Sequence, residues 1–455
     1  MSTSSLTTGG LSARFADSRA TAKRLRSGLV ETTIAQVGLL ALGAFTGVAA
    51  ARLLGPQGRG ELAALTLWPS TLVLLGALGM NQAIVFHTGK QRYGTSEVWT
   101  ASTIIGLLQS ALVLLAGFLV VPLALRGYSE SVRHLALIFL CCSPALLLSG
   151  YPGNLLQGKL DLLSFNITRM IAPFVYALGL AALLLLKKPS LQDVVAFQLL
   201  GVALALAGGY WILLKKERLR FVFDTRALKS LLGYGWKTQL ATVTSYINQR
   251  VDQLLLTLFV GPRELGLYVV AVTVSMALGF FPQASAIVTL ASGSNLAPDQ
   301  ARRIIAESFR RSLIWLVLGC AALFVVSPWL ITLVFGSSFR GSGLACRILL
   351  PGSIALGLNQ VLYEGARSLN KPALPSYAEG LALLLTCAGL YLLLPRFGFL
   401  GAAIASTLAY TTSLTLMLVL YRARLHISVS ELLGFSRAPA LEKSVCLSRP
   451  CPPMA

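Results

Sequence analysis

Apolar and polar positions in this chain alternate in long blocks, not in the short rhythm of a soluble domain. Uncharged stretches fall at 101–125, 194–214, 265–297, 312–339 and 397–421. Each is long enough to cross a bilayer, which takes roughly 17–25 residues. Short segments rich in Gly, Pro, Lys and Arg separate them. The pattern predicts twelve helical spans, at 28–54, 61–88, 98–125, 132–157, 165–187, 191–214, 232–260, 264–292, 308–335, 343–366, 373–395 and 398–422. Their connections are short and leave no room for an extramembrane domain.

Composition agrees with this reading. Hydrophobic residues make up 55% and charged residues 12%, with a mean hydropathy of +0.73. Soluble domains carry about 25% charged residues. The fold class is all-α, polytopic and membrane-embedded. The net charge of +21 raises the question of nucleic acid. The basic residues, however, cluster between spans, where they face cytoplasm and anionic lipid, so membrane lipid is the expected partner and nucleic acid is not. Lys and Arg number 25 in the segments on the N-terminal side, 10 in those opposite and 3 within spans. Both termini are therefore expected in the cytoplasm. The first apolar run, at 28–51, ends in Ala-Ala-Ala but exceeds the roughly 7–15 residues of a signal-peptide core; it reads as a retained helix.

The seven cysteines form no CxxC pair and mostly lie in apolar runs, so they read as small apolar filler. His87, His134 and His426 are not clustered, and no phosphate-binding loop is present. No cofactor is expected.

Two segments echo each other, ARLLGPQGRGELAA at 51–64 and TLFVGPRELGLYVV at 257–270. Gly55, Pro56 and Gly60 recur as Gly261, Pro262 and Gly266 at an offset of 206. Pro189 recurs as Pro395 at the same offset, and Gly158 pairs with Gly365 at 207. The landmarks predict a duplicated six-helix unit. The divisions are a basic cytoplasmic N-terminal tail at 1–27, a first bundle at 28–214, a cytoplasmic linker at 215–231, a second bundle at 232–424 and a disordered cytoplasmic extension at 425–455. An even unit keeps both halves in one orientation. Their symmetry axis then runs along the membrane normal, with substrate handled between them.

Ionisable residues inside a span are costly and point first to function. The seventh span holds Lys237, Arg250 and Asp252. Lys237, Thr244, Asn248 and Asp252 share one helical face, while Arg250 lies nearer Gln239 and Tyr246. Arg250 can offer forked hydrogen bonds to phosphate oxygens. Lys237, and Arg169 early in the fifth span, are placed to receive an anionic headgroup first. The residues alone leave helix pairing and snorkelling open as alternatives for all of these. Coupling to a proton or sodium ion would fall on Asp252 or Glu31, and nothing selects between the ions. Asn81, Gln82, Gln157, Asn359 and Gln360 suit either sugar hydroxyls or hydrogen bonds between helices. Arg52, Arg59, Glu364 and Glu379 read as boundary and packing residues.

RLLGPQGRGELA at 52–63 is similar to the R-L-L-G-P-x-G-x-G-x-x-A signature of bacterial polysaccharide exporters. These are the O-antigen (Wzx-type) flippases of the multidrug/oligosaccharidyl-lipid/polysaccharide exporter superfamily. NQRVDQLLLTLFVGPRELGLYVVA at 248–271, GNLLQGKLDLLSFN at 153–166, YEGARSLNKP at 363–372 and FGFLGAAIAST at 397–407 extend the resemblance over 28–424. It implies two six-helix bundles around a cavity that opens alternately to each side of the bacterial inner membrane. The implied substrate is an undecaprenyl-pyrophosphate-linked oligosaccharide, moved from the inner to the outer leaflet for O-antigen, capsule or exopolysaccharide assembly. Polymerases or glycosyltransferases of the same pathway are the implied partners. A multidrug or small-solute exporter of the same superfamily is the alternative. A membrane enzyme is disfavoured, because no loop is long enough to carry a nucleophile, a base and a pocket.

Overall fold

The computed structural model describes residues 8–185, 189–293, 297–371 and 373–435. Among the described residues there are helices and connecting turns, and no strand. Helical hydrogen bonding runs over Thr8–Gly76, but Gly55 has φ 65° and ψ −176°. Such a conformation cannot continue a helix, so α1 (8–54) ends there and α2 starts at Pro56. Left-handed Gly79 (φ 69°) interrupts α2, which resumes as Met80–Gly89. Then come α3 (Thr95–Ala124), the bent α4 (130–158), α5 (Leu162–Leu183) and α6 (Leu191–Lys216). The second half has α7 (Thr225–Phe259), α8 (262–293, with a 3₁₀ turn at Met276–Gly279), α9 (Pro298–Phe335) and α10 (Ser342–Ser368). The run Ala373–Leu425 breaks at Gly398, φ 55°, into α11 and α12. A short α13 (Val429–Leu433) follows.

Eight helical runs are long and apolar enough to cross a membrane, nine if bent α4 is one span. Two of these are the double runs broken at Gly55 and Gly398. α7 has ample length, at 35 residues, but is too polar to meet the same test. Among the described residues this makes twelve crossing segments, as the sequence predicts. α3 illustrates why they suit lipid. Leu108, Leu112, Leu115 and Leu119 follow helical spacing and are 63–65% exposed. A stripe of that kind is stable only against hydrocarbon.

The buried core explains the shape. On the side away from the N-terminus, one continuous apolar core joins both halves. It runs from Ala51 and Leu65 through Leu140 to Leu265, Tyr268, Phe339 and Ala402. On the N-terminal side the core divides. One cluster, around Ile84, Tyr151 and Leu231, belongs to the first bundle and the start of α7. The other, around Ile305, Leu362 and Tyr421, belongs to the second. The bundles are thus sealed at one end and parted at the other.

The echoed turns form the seal. A Cβ on Gly60 would overlap the Pro262 carbonyl, and one on Gly266 would overlap the Pro56 carbonyl. The contacts are reciprocal at the offset of 206, as a two-fold axis between the turns requires. Only residues lacking Cβ permit backbones to approach so closely. Arg52 adds a crossing tie. Its Nε donates to the Val334 carbonyl at 2.6 Å and its Nη2 to the Leu333 carbonyl at 2.5 Å, both at the end of α9.

A second repeat corrects one expected pairing. After α4, Lys159, Leu160 and Asp161 donate to the carbonyls of Leu155, Gln157 and Leu156. After α10, Leu369, Asn370 and Lys371 donate to Gly365, Arg367 and Ala366. Leu160 (φ 62°) and Asn370 (φ 59°) occupy the same left-handed position of this helix-ending motif. The offset is therefore 210, and Gly365 corresponds to Leu155, not to Gly158. Gly158 instead packs on Thr88, and Gly365 on the Tyr421 hydroxyl and Ile305.

Two boundaries also move. Asp224 caps α7, its Oδ1 accepting from the Arg226 amide at 2.7 Å, so α7 starts within the expected linker. Residues 426–435 are not a free extension. Ile427 and Leu432 are buried against the second bundle, and Ser428 caps α13. Residues 1–7 and 436–455, with Cys446 and Cys451, lie outside the described residues.

The turn before α5 carries a testable electrostatic tie. Asp161 Oδ1 accepts from the Ser164 amide at 3.3 Å, and Asp161 Oδ2 accepts from Lys216 Nζ at 2.5 Å. Partial burial pushes the carboxyl up, but the Lys216 and Ser164 hydrogen bonds outweigh it and hold Asp161 below its ordinary value. A depressed carboxyl contributes stability above its unfolded pKa and loses it as pH falls through the folded one. Asp161→Ala should lower stability at neutral pH by about 1 kcal/mol, the usual worth of a helix cap, since solvent screens the exposed ion pair. Thermal melts in detergent should show the gap from the parent chain narrowing on acidification through the carboxylate range. A gap independent of pH would exclude the Lys216 tie.

Candidate functional site

α7 is the seam between the bundles, and its sequence explains why. Polar residues occupy two opposite faces. On one, Gln239 Nε2 donates to the Leu74 carbonyl of α2 at 2.5 Å. The Tyr246 hydroxyl lies 3.3 Å from Thr71 Oγ1, and Thr257 Oγ1 accepts from Trp68 Nε1 at 2.8 Å. Near its start, Tyr234 stacks on Phe86 at 4.2 Å. This face belongs to the first bundle.

The other face belongs to the second bundle. Asp252 is 3% exposed. Its Oδ2 accepts from the Tyr268 hydroxyl of α8 at 2.5 Å and from Ser406 Oγ of α12 at 3.2 Å, and its Oδ1 accepts from the Gln253 amide at 2.7 Å. A buried carboxylate needs such donors to offset its lost hydration. One turn earlier, Asn248 lines a cavity of about 460 Å³ bordered by α7, α8, α10, α11 and α12. Gln360, Glu364 and Glu379 share that cavity.

Arg250 lies on the first face and is exposed. Its Nη1 donates to Gln253 Oε1 at 3.0 Å. Arg59, from the start of α2, is close enough for the two positive charges to act on each other. The Arg59 Nε is buried without a hydrogen-bond partner. Among the described residues neither arginine has a carboxylate within 4.0 Å, the reach that defines the five ion pairs present. Two like charges, one from each bundle, thus act on each other near the sealed end of the seam.

The five residues singled out by sequence do not form one site. Asn248 and Asp252 face the second bundle, and Arg250 faces the first. Lys237 is exposed toward the N-terminal side of α7. Arg169 Nη2 donates to Gln36 Oε1 at 2.8 Å and lies 5.4 Å from the Phe165 ring, so it ties α5 to α1. Asn81 accepts from Asn154 Nδ2 at 2.8 Å, a bond within the first bundle. Arg59 was not among the expected site residues. Its place in a turn motif concealed it, because the motif's glycines already explain the turn. Glu364 escaped for a similar reason: it sits near a helix end, where a boundary role is the ordinary reading.

Comparison with known proteins places this geometry. Residues 49–343 match a family model described as polysaccharide biosynthesis protein. A putative O-antigen transporter of Shigella flexneri is 21% identical over 82% of this chain and 91% of its own. The fold is similar to that of the lipid II flippase MurJ in an inward-closed conformation, with a TM-score of 0.72 at 17% identity, covering 88% of this chain and 90% of the other. It is equally similar to an inward-facing multidrug resistance MATE family transporter, at 0.72 and 14% identity over 90% of this chain and all of the other. These relatives and neighbours are transporters and flippases, not enzymes. A twelve-helix chain with this match belongs to the polysaccharide biosynthesis protein family.

Proposed function

We propose that this flippase-type transporter moves a polyprenyl-pyrophosphate-linked oligosaccharide from the inner to the outer leaflet of a bacterial inner membrane by alternating access. Both termini lie in the cytoplasm in this reading. The observation that carries it is Arg59 and Arg250, one from each bundle, near enough to act on each other and neither ion-paired among the described residues. Like charges repel. A pyrophosphate between them would turn repulsion into two forked, charge-assisted contacts. The same ligand would draw the bundles together, so binding is coupled to their relative position. The parted N-terminal side supplies the route in, and the glycine seal is the door that must open next. Lys237, exposed toward that side, supports a first encounter with the headgroup.

A cationic drug is the poorer fit, because it would meet unpaired arginines of its own sign. Efflux of a cationic dye separates that reading from ours.

The test is a cell lacking this chain. Polyprenyl-linked oligosaccharide should accumulate several-fold while surface polysaccharide falls, because synthesis continues and translocation stops. Unchanged levels of both would reject the substrate.

A further inference from the structure

We propose that the 460 Å³ cavity in the second bundle is a sugar pocket, selecting one hydroxyl-bearing residue of the glycan while the arginines hold the phosphates. The inference rests on the proposed function.

Its basis is a convergence of unmet acceptors. Five buried carboxamide or carboxylate oxygens among the described residues lack a hydrogen-bond partner, and four of them belong to residues lining this cavity: Asn248 Oδ1, Asn359 Oδ1, Gln360 Oε1 and Glu364 Oε2. Asn248 is 9% and Asn359 1% exposed. Two of the four are held as acceptors. Glu364 uses Oε1 to accept from Arg367 Nη1 at 2.5 Å, leaving a carboxylate oxygen that only accepts. The Asn359 amide group donates to the Tyr410 carbonyl at 3.5 Å, a bond that reversing the amide would lose. An unmet acceptor is costly when buried. A ligand that brings several donors removes that cost at once.

Charge and size narrow the class. Arg367, the cation in the lining, is already paired with Glu364, so the cavity holds no unpaired positive group for a phosphate. A cavity of 460 Å³ lies in the usual range for small organic ligands, about 300–1,000 Å³, and far exceeds one ion. Tyr363 and Tyr410 add two aromatic side chains to the lining, a composition that suits sugar C–H groups. A neutral or amino sugar satisfies all three demands. Gln249, Gln283, Leu356 and Gln360 also border a 230 Å³ cavity that reaches Leu40 of α1, so the pocket opens toward the seam.

The experiment uses the full chain in nanodiscs and in cells. Glucose, galactose and N-acetylglucosamine serve as neutral probes, with inorganic pyrophosphate as the anionic one. At least one sugar should raise the melting temperature of the parent chain. Asn359→Leu should weaken that binding at least ten-fold and reduce export of surface polysaccharide, yet keep pyrophosphate binding. Arg250→Ala should do the reverse, losing pyrophosphate and keeping the sugar. Because Asn359 is deeply buried, Gln360→Met provides a second, volume-conserving variant that is partly exposed. Sugar binding unaffected by both changes, wild-type export from either folded variant, or no binding of any probe sugar overturns the pocket. If cells lacking the chain export normally, the flippase reading fails while the sugar-binding result stands or falls separately.

Discussion

Arg250→Ala is expected to stop export of surface polysaccharide, at least 10–100-fold, while the chain remains folded in the membrane. The magnitude follows from the hydrogen bonds that the guanidinium can make to phosphate. A hydrogen bond to a charged group contributes about 1.5–3 kcal/mol, and a forked guanidinium makes two. Each 1.4 kcal/mol is about ten-fold in affinity. The cost to the fold should be small. Arg250 is exposed, and among the described residues its hydrogen bond goes to Gln253, a turn away on the same helix. Arg250→Lys should restore part of the activity, because it keeps the charge and loses the fork. Arg59→Ala should mirror the loss, since both bundles must grip the same anion. The readout is accumulated lipid-linked oligosaccharide against surface polymer, with membrane levels of each variant measured alongside. Full export from Arg250→Ala would exclude that guanidinium from the path.

A comparably large effect is expected at the seal. Gly266→Leu places a side chain where the Pro56 carbonyl and the Gly60 amide already lie. Backbone cannot swing aside as a flexible side chain does, so the echoed turns must separate. The Arg52 tie to Leu333 and Val334 would stretch with them. We expect export to fall at least 100-fold with insertion intact, because a transporter that cannot close one end cannot pass its substrate in one direction. Spin labels at Gln57 and Arg263, both exposed beside the turns, should report a longer distance in the variant. Gly233→Ala is the control, since a Cβ there meets no atom within 4 Å. An unchanged label distance in Gly266→Leu would show that the turns do not form the seal.

Much of the architecture is legible from the residues alone. Span positions follow from hydropathy, because hydrocarbon tolerates no long polar stretch and loops collect charge. The 206-residue repeat is visible in Gly55, Pro56 and Gly60 because turns restrict residue type more tightly than spans do. The two polar faces of α7 follow from helical periodicity. Other features are not local. The true offset of 210 after α4 and α10 emerges only in backbone hydrogen bonds, since Leu160 and Asn370 share a conformation and not a side chain. Asn248 and Asn359 share a cavity although 111 positions separate them in the chain. Arg59 and Arg250 come from different bundles. Whether the bundles seal at the glycines or part there depends on how closely two surfaces pack, and no periodicity within one helix records that. The sequence by itself determined the helices, their number and their duplication, since those depend on each segment's exchange with lipid and water. Only the tertiary structure decided which polar groups meet and which end is closed, because those depend on contacts between segments far apart in the chain.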